Sequence, residues 1–208
     1  MTIDDILAAG PVMPVVVIDD AAHAVPLARA LVAGGIRAIE ITLRTGAALD
    51  AIQAISRDAP GAIPGVGTAL TGADVLAALE AGARFIVSPG CTPALTAAAV
   101  GSGLPFLPGV ATASELMAGM EAGLSAFKFF PAAQAGGVEG LKALAGPFPK
   151  ARFCPTGGVG EVNAAEYLAL PNVVCVGGSW IAPRAAIAAG DFATIEGLAR
   201  AAARLATA

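Results

Sequence analysis

One lysine stands among phenylalanines in the run Ala126-Phe-Lys-Phe-Phe130, in a chain of 208 residues that holds only three lysines and eight phenylalanines. Along a strand, side chains alternate, so Ala126, Lys128 and Phe130 share one face while Phe127 and Phe129 share the other. If the phenylalanine pair faces covering helices, Lys128 points to the opposite, inner side. Burial in apolar surroundings favours the neutral amine over the ammonium, against an ordinary lysine pKa of roughly 10.4. A neutral amine attacks a carbonyl carbon and forms an imine. The same placement also suits a buried ion pair with a carboxylate.

A carboxylate is available in Arg37-Ala-Ile-Glu-Ile-Thr-Leu-Arg-Thr45, where alternation puts Glu40, Thr42 and Arg44 on one face. Glu40 suits proton transfer or pairing with Lys128, and the Arg44 guanidinium suits a carboxylate ligand. The segments ending in Gly-Thr68 and in Ser88-Pro89-Gly90 each offer an unhindered backbone and a hydroxyl, to a ligand or simply to a turn. Two glycine pairs, Gly157-Gly158 and Gly177-Gly178, with Ser179 beside the second, recur near the end of the chain. Backbone N–H groups in such loops can cradle a phosphate.

Something must bring these segments together. Short apolar or β-branched runs begin near residues 14, 37, 62, 84, 105, 126, 152 and 173. Their spacing, roughly 20 to 26 residues, is that of one strand, one helix and two short loops. Between them, segments such as Thr71 to Ala83, with Val75, Leu76 and Leu79 at helical spacing, read as helices that stop at glycine: Gly82 here, Gly34-Gly35 and Gly123 elsewhere. Eight strand–helix units predict a (β/α)8 TIM barrel, with an extra helix over residues 4–9 and a closing one over 192–205. All of residues 1–208 then form a single domain, because no linker or composition break divides them. A doubly wound open sheet is the competing arrangement.

Composition narrows the function. The chain is 56% hydrophobic and 13% charged, so it has the material for a large core. Its longest charge-free run, residues 85–114, is broken by Pro89, Pro93, Pro105 and Pro108 and is not a membrane span. A net charge of −4 with no basic cluster argues against nucleic-acid binding. Two aspartates in the first five residues stand where a secretory leader would be basic, which predicts a cytoplasmic protein. Cys91, Cys154 and Cys175 read as small hydrophobes, and with His23 the sole histidine no metal or other cofactor is expected.

Through "HAVPLARALVAGG", "EITLRT", "SPG", "SELMAGMEAG", "FKFFPA", "AGPF", "RFCPTGG" and "GGSW", the chain resembles, nearly end to end, the 2-keto-3-deoxy-6-phosphogluconate (KDPG) aldolases of the Entner–Doudoroff pathway. The resemblance implies a homotrimeric class I aldolase that cleaves a keto acid phosphate to pyruvate and glyceraldehyde 3-phosphate. It implies Lys128 as the Schiff-base lysine, Glu40 as the proton shuttle, and Arg44 with Thr68 as the pyruvate carboxylate site. Pro89 and Phe130 would shape the pyruvyl pocket. Thr156 matches the position tied to configuration at C4, and Gly157, Gly158, Gly178 and Ser179 match the phosphate loops. Some members of the family carry a basic residue after the first strand, whereas this chain has Asp19-Asp20, so the phosphate is expected to rest on backbone and hydroxyls. Competing readings are an aldolase for the 6-phosphogalactonate epimer or for 4-hydroxy-2-oxoglutarate, a phosphate-binding isomerase or epimerase without an imine, and a silent trimeric scaffold.

Overall fold

A computed structural model describes residues 1–205. Its strands are β1 (Val12–Val16), β2 (Ala38–Thr42), β3 (Ile63–Gly67), β4 (Ile86–Val87), β5 (Phe106–Leu107), β6 (Gly109–Val110), β7 (Ala126–Phe129), β8 (Arg152–Pro155) and β9 (Val176–Gly178). All pairings are parallel. Six strands form a sheet in the order β5-β4-β3-β2-β1-β9, and three form a second sheet in the order β6-β7-β8.

The expected uninterrupted ring of eight ladders is therefore seen as a curled parallel sheet in two parts. The break in the fifth run has a local cause: Pro108, between β5 and β6, has no N–H to donate to a ladder. Its carbonyl still accepts from the Lys128 N–H at 2.8 Å. On the other side, β8 meets the last segment through the isolated bridges Phe153–Val173 and Thr156–Gly177. In the larger sheet, β1 to β5 follow one another in sequence order without the reversal of a doubly wound sheet.

Among the described residues, ten α-helices cover or cap these strands: α1 (Ile3–Leu7), α2 (Ala24–Ala33), α3 (Ala48–Asp58), α4 (Gly72–Glu80), α5 (Pro93–Gly101), α6 (Ala113–Glu121), α7 (Gly137–Ala145), α8 (Ala164–Leu168), α9 (Arg184–Ala188) and α10 (Phe192–Ala202). Thr2 with Asp5, Thr71 with Asp74 and Thr112 with Glu115 close capping boxes that start α1, α4 and α6. Gly35, Gly82 and Gly123 all have positive φ, as the predicted helix stops require. The expected helix after β3 forms as α4. Val75 and Ala78 are buried, whereas Leu76 and Leu79 lie on the outside with Leu70, Val100 and Met117.

Strand alternation separates two apolar layers. Phe127, Phe129 and Phe153 pack outward against helices, with ring centroids 6.2 to 6.3 Å apart, and each fully buried ring contributes about 1.5–3 kcal/mol. The inner layer holds Met13, Ala38, Ile63, Phe85, Leu107, Ala126, Cys154 and Cys175, with Ile6 and Leu7 of α1 packed into it. Phe85 fits because β3 has Gly65 beside it; a Cβ there would lie 2.3 Å from the ring. Neither buried thiol is in a disulfide, and the Cys175 thiol is pushed well up by its hydrogen bond with Cys154 and by burial. No described helix is long and apolar enough to cross a membrane.

Candidate active site

Beyond Ala126, the inner face of β7 presents Lys128, and across the interior β2 presents Glu40. The two side chains meet with Nζ 3.1 Å from Oε1 and 3.5 Å from Oε2. Lys128 is 4% exposed and Glu40 1%, so this ion pair is sealed from bulk water. In sequence, imine chemistry and ion pairing stand as alternatives for Lys128; the geometry combines a paired amine with a site from which its proton can move. The Phe130 ring lies 5.3 Å from Nζ, a cation–π distance.

Glycine makes the room for this pair. Gly67 lies opposite Thr42 in the β2–β3 register, and a Cβ on it would come within 2.4 Å of Glu40 Oε1 and 2.5 Å of Cγ. Gly109 is the partner of Lys128 in the β6–β7 register, and a Cβ on it would meet the backbone of Pro89 at 2.3 Å. Thus Pro89 lies behind Gly109, and Ser88 fixes its turn by donating to the Gly90 carbonyl at 2.6 Å. Thr42 is turned to the Val16 carbonyl at 2.8 Å and is occupied structurally.

Arg44 follows β2 and donates through Nε to Thr68 Oγ1 at 3.3 Å. Thr68 has φ of 60°, the one non-glycine residue with positive φ among the described residues. A β-branched residue in that region is strained by about 1–3 kcal/mol, and such strain persists where surrounding structure holds a functional geometry.

A cavity of about 510 Å³ opens where Arg44, Phe130, Thr156, Gly157, Gly158, Gly178 and Ser179 share one wall. Seven of the residues singled out in sequence therefore converge there. Thr68 reaches it through Arg44, while Pro89, Lys128 and Glu40 are not part of its lining; Phe130 lines it and lies 5.3 Å from the amine. Thr156 is buried, and its hydroxyl has only a long 3.4 Å contact to the Cys154 carbonyl and a 3.9 Å contact to its sulfur. Gly177 accommodates that hydroxyl, since a Cβ there would sit 2.1 Å from Oγ1. Gly157 and Gly158 have φ of 95° and 75°, which only glycine adopts without strain. Among the described residues, the N–H groups of Gly157, Gly158, Ser179 and Trp180 donate to no protein acceptor. Trp180 covers Gly178, where a Cβ would lie 1.7 Å from the indole, and also lines the cavity.

One charged lining residue was not singled out in sequence. Arg184, the first residue of α9, stands on the cavity wall, and Asp19 grips its Nε and Nη2 at 2.7 and 2.6 Å. This contact holds the Asp19 carboxyl below the usual carboxylate range and raises Arg184. The only sequence signal was an arginine shortly after Gly-Gly-Ser-Trp; its partner lies 165 positions earlier, beyond the reach of local pattern. Arg184 thus joins Arg44 as a second cation on the lining of this cavity. His23 packs edge-on against Phe192, with ring centroids 6.0 Å apart. Among the described residues no cluster of three or more His, Cys, Asp or Glu is placed to hold a metal ion.

Comparison with known proteins gives one consistent match. The sequence model of the family described as KDPG and KHG aldolase matches residues 3–198. The chain is 53% identical over 197 residues to the KHG/KDPG aldolase of Escherichia coli strain K12, covering 95% of this chain and 92% of that protein. It is 52% identical over 205 residues to the 2-dehydro-3-deoxy-phosphogluconate aldolase of Dickeya dadantii, covering 99% and 96%. Among solved structures it is similar to the KDPG aldolase of Legionella pneumophila, which holds pyruvate captured at low pH as a covalent carbinolamine intermediate. That similarity has a TM-score of 0.95 at 47% identity over 98% of both chains.

Proposed function

The chain belongs to the KDPG and KHG aldolase family, and we propose that its buried Lys128–Glu40 pair is the catalytic centre of that activity. The protein is a class I aldolase, a carbon–carbon lyase that cleaves 2-keto-3-deoxy-6-phosphogluconate to pyruvate and glyceraldehyde 3-phosphate. The observation that carries the assignment to this pair is the 3.1 Å contact between an amine and a carboxylate, both buried, beside the cavity.

The chemistry follows from that contact. Lys128 hands a proton to Glu40 along the hydrogen bond and attacks the C2 ketone as the free amine. The carbinolamine loses water to give a protonated imine. Glu40, returned to the carboxylate, takes the C4 hydroxyl proton as the C3–C4 bond breaks; its electrons move into the iminium and leave an enamine. Glyceraldehyde 3-phosphate departs, Glu40 returns the proton to C3, and one water hydrolyses the pyruvate imine.

Arg44 and Thr68 hold the pyruvyl carboxylate, with Phe130 and Pro89 walling the keto acid. Thr156 accepts or donates to the C4 substituent, and the N–H groups around Gly157, Gly158, Gly178 and Ser179 receive the phosphate. The residues form one domain in which the two sheet parts close as a (β/α)8 barrel; support comes from the bridges at Phe153 and Thr156 and from the continuity of β5 and β6. A homotrimer is supported by the outward Leu76, Leu79, Val100 and Met117, which leave an apolar face on α4, α5 and α6. Residence in the cytoplasm fits a metabolic lyase of this kind.

Pyruvate release from the substrate, followed by reduction to lactate with a nicotinamide readout, tests the assignment. Wild type turns over and Lys128→Met does not; turnover by Lys128→Met at more than about a hundredth of the wild-type rate removes Lys128 from the mechanism.

A further inference from the structure

Two cationic side chains stand on the cavity wall, Arg44 and Arg184, and they serve different ends of it. Arg44 follows β2 and is tied to Thr68, whereas Arg184 stands five positions after Ser179, beyond β9. In the sheet, β1 lies between β2 and β9, so the two ends are two strand spacings apart, roughly 10 Å. That separation suits a ligand with an anionic group at each end.

Arg184 is held in a defined geometry. Asp19, in the loop after β1, accepts from Nε and Nη2 in a side-on fork. The fork uses two of the five N–H bonds of a guanidinium, and the other three, two on Nη1 and one on Nη2, are free for a second anion. Asp19 is not on the cavity wall; it grips Arg184 from outside it. The side chains are 65% and 47% exposed, so the pair adds little to stability by itself. A partner chosen 165 positions away that leaves the donor end open is better explained by orientation than by folding energy.

We propose that Arg184 is the specificity-determining cation for the substrate's phosphate, and that Asp19 is the positioning residue that aims it. This rests on the aldolase reading of the same cavity. The phosphate bridges the free N–H groups near Gly157, Gly158 and Ser179 on one side and the Nη1 end of Arg184 on the other. The proposal makes Asp19 useful to an anion site that its charge alone would oppose.

The test compares kcat/KM for KDPG with that for the same keto acid lacking its phosphate, in wild type, Arg184→Ala, Arg184→Lys, Asp19→Ala and the double variant Asp19→Ala/Arg184→Ala. One charge-assisted contact at an exposed site predicts a fall of about tenfold in the phosphorylated-to-dephosphorylated ratio for Arg184→Ala, carried by KM rather than kcat. Arg184→Lys recovers part of it. Asp19→Ala lowers the ratio a few-fold and has no further effect in the Arg184→Ala background. If wild type cleaves KDPG but Arg184→Ala keeps the ratio within about twofold, the role of Arg184 is refuted while the aldolase reading stands. If Asp19→Ala raises the ratio, Asp19 repels phosphate and the positioning role is refuted. Failure of wild type to cleave KDPG overturns both.

Discussion

Lys128 Nζ lies 3.1 Å from Glu40 Oε1, although the residues are 88 positions apart and come from β7 and β2. Both are almost fully buried, and no other protein carboxylate or ammonium forms a salt bridge with either among the described residues. An amine and a carboxylate are therefore held as one buried unit.

Glu40→Gln keeps the shape and a hydrogen-bonding oxygen while removing the proton acceptor. Cleavage should slow by roughly 10²–10⁴-fold, the usual worth of a positioned acid–base group, while imine formation with pyruvate remains detectable. Rates within about threefold of wild type would leave Glu40 as a structural partner only.

The pair is also a stability element with a particular signature. Lys128→Met strands a buried carboxylate and should cost about 3–5 kcal/mol, whereas Lys128→Met with Glu40→Leu should recover most of that loss. Urea unfolding of the two variants checks it; equal stabilities would mean that the buried charge is solvated in a way the contacts do not show.

Gly67→Ala tests the space around the carboxylate. A Cβ 2.4 Å from Oε1 must displace Glu40, and a displacement of about 1 Å costs on the order of 10² in rate. A folded Gly67→Ala protein with an undiminished kcat would show that Glu40 does not need its present position.

Thr156 has a buried hydroxyl with only long contacts to protein, which leaves it free for a substrate hydroxyl. Thr156→Val should lower the preference for the gluconate substrate over its galactonate epimer about tenfold, from a lost hydrogen bond of about 0.5–1.5 kcal/mol and the cost of an unmet buried group. The ratio of kcat/KM values for the two epimers decides it, and an unchanged ratio withdraws Thr156 from discrimination.

How far these features were legible depends on the range of the signal. Alternation in Ala126 to Phe130 was enough to turn Lys128 inward, and glycine stops marked α2, α4 and α6, because both are local backbone properties. Glu40 was readable as part of a strand face and Gly157-Gly158 as a loop, whereas β2 ends at Thr42, two residues before Arg44, and Gly177 and Gly178 are the last residues of β9. What local pattern could not carry was the pairing of Asp19 with Arg184, which depends on tertiary placement of two exposed loops. The spacing of Val75, Leu76 and Leu79 was enough to mark α4 as a helix, but not to show that Val75 and Ala78 are its buried residues while Leu76 and Leu79 are exposed. Pro108 was visible in sequence, yet its division of the fifth strand follows from the missing N–H at one ladder position.

Borohydride reduction in the presence of pyruvate, followed by peptide mass mapping, locates the lysine that forms the imine. The three lysines of the chain differ sharply: Lys142 is exposed and paired with Glu139 at 2.7 Å, Lys150 is exposed, and Lys128 is buried. With Lys128 as the Schiff-base lysine, activity is lost and one reduced pyruvyl adduct is found, on Lys128. An adduct confined to Lys142 or Lys150, or full activity with no adduct after reduction, would contradict that assignment.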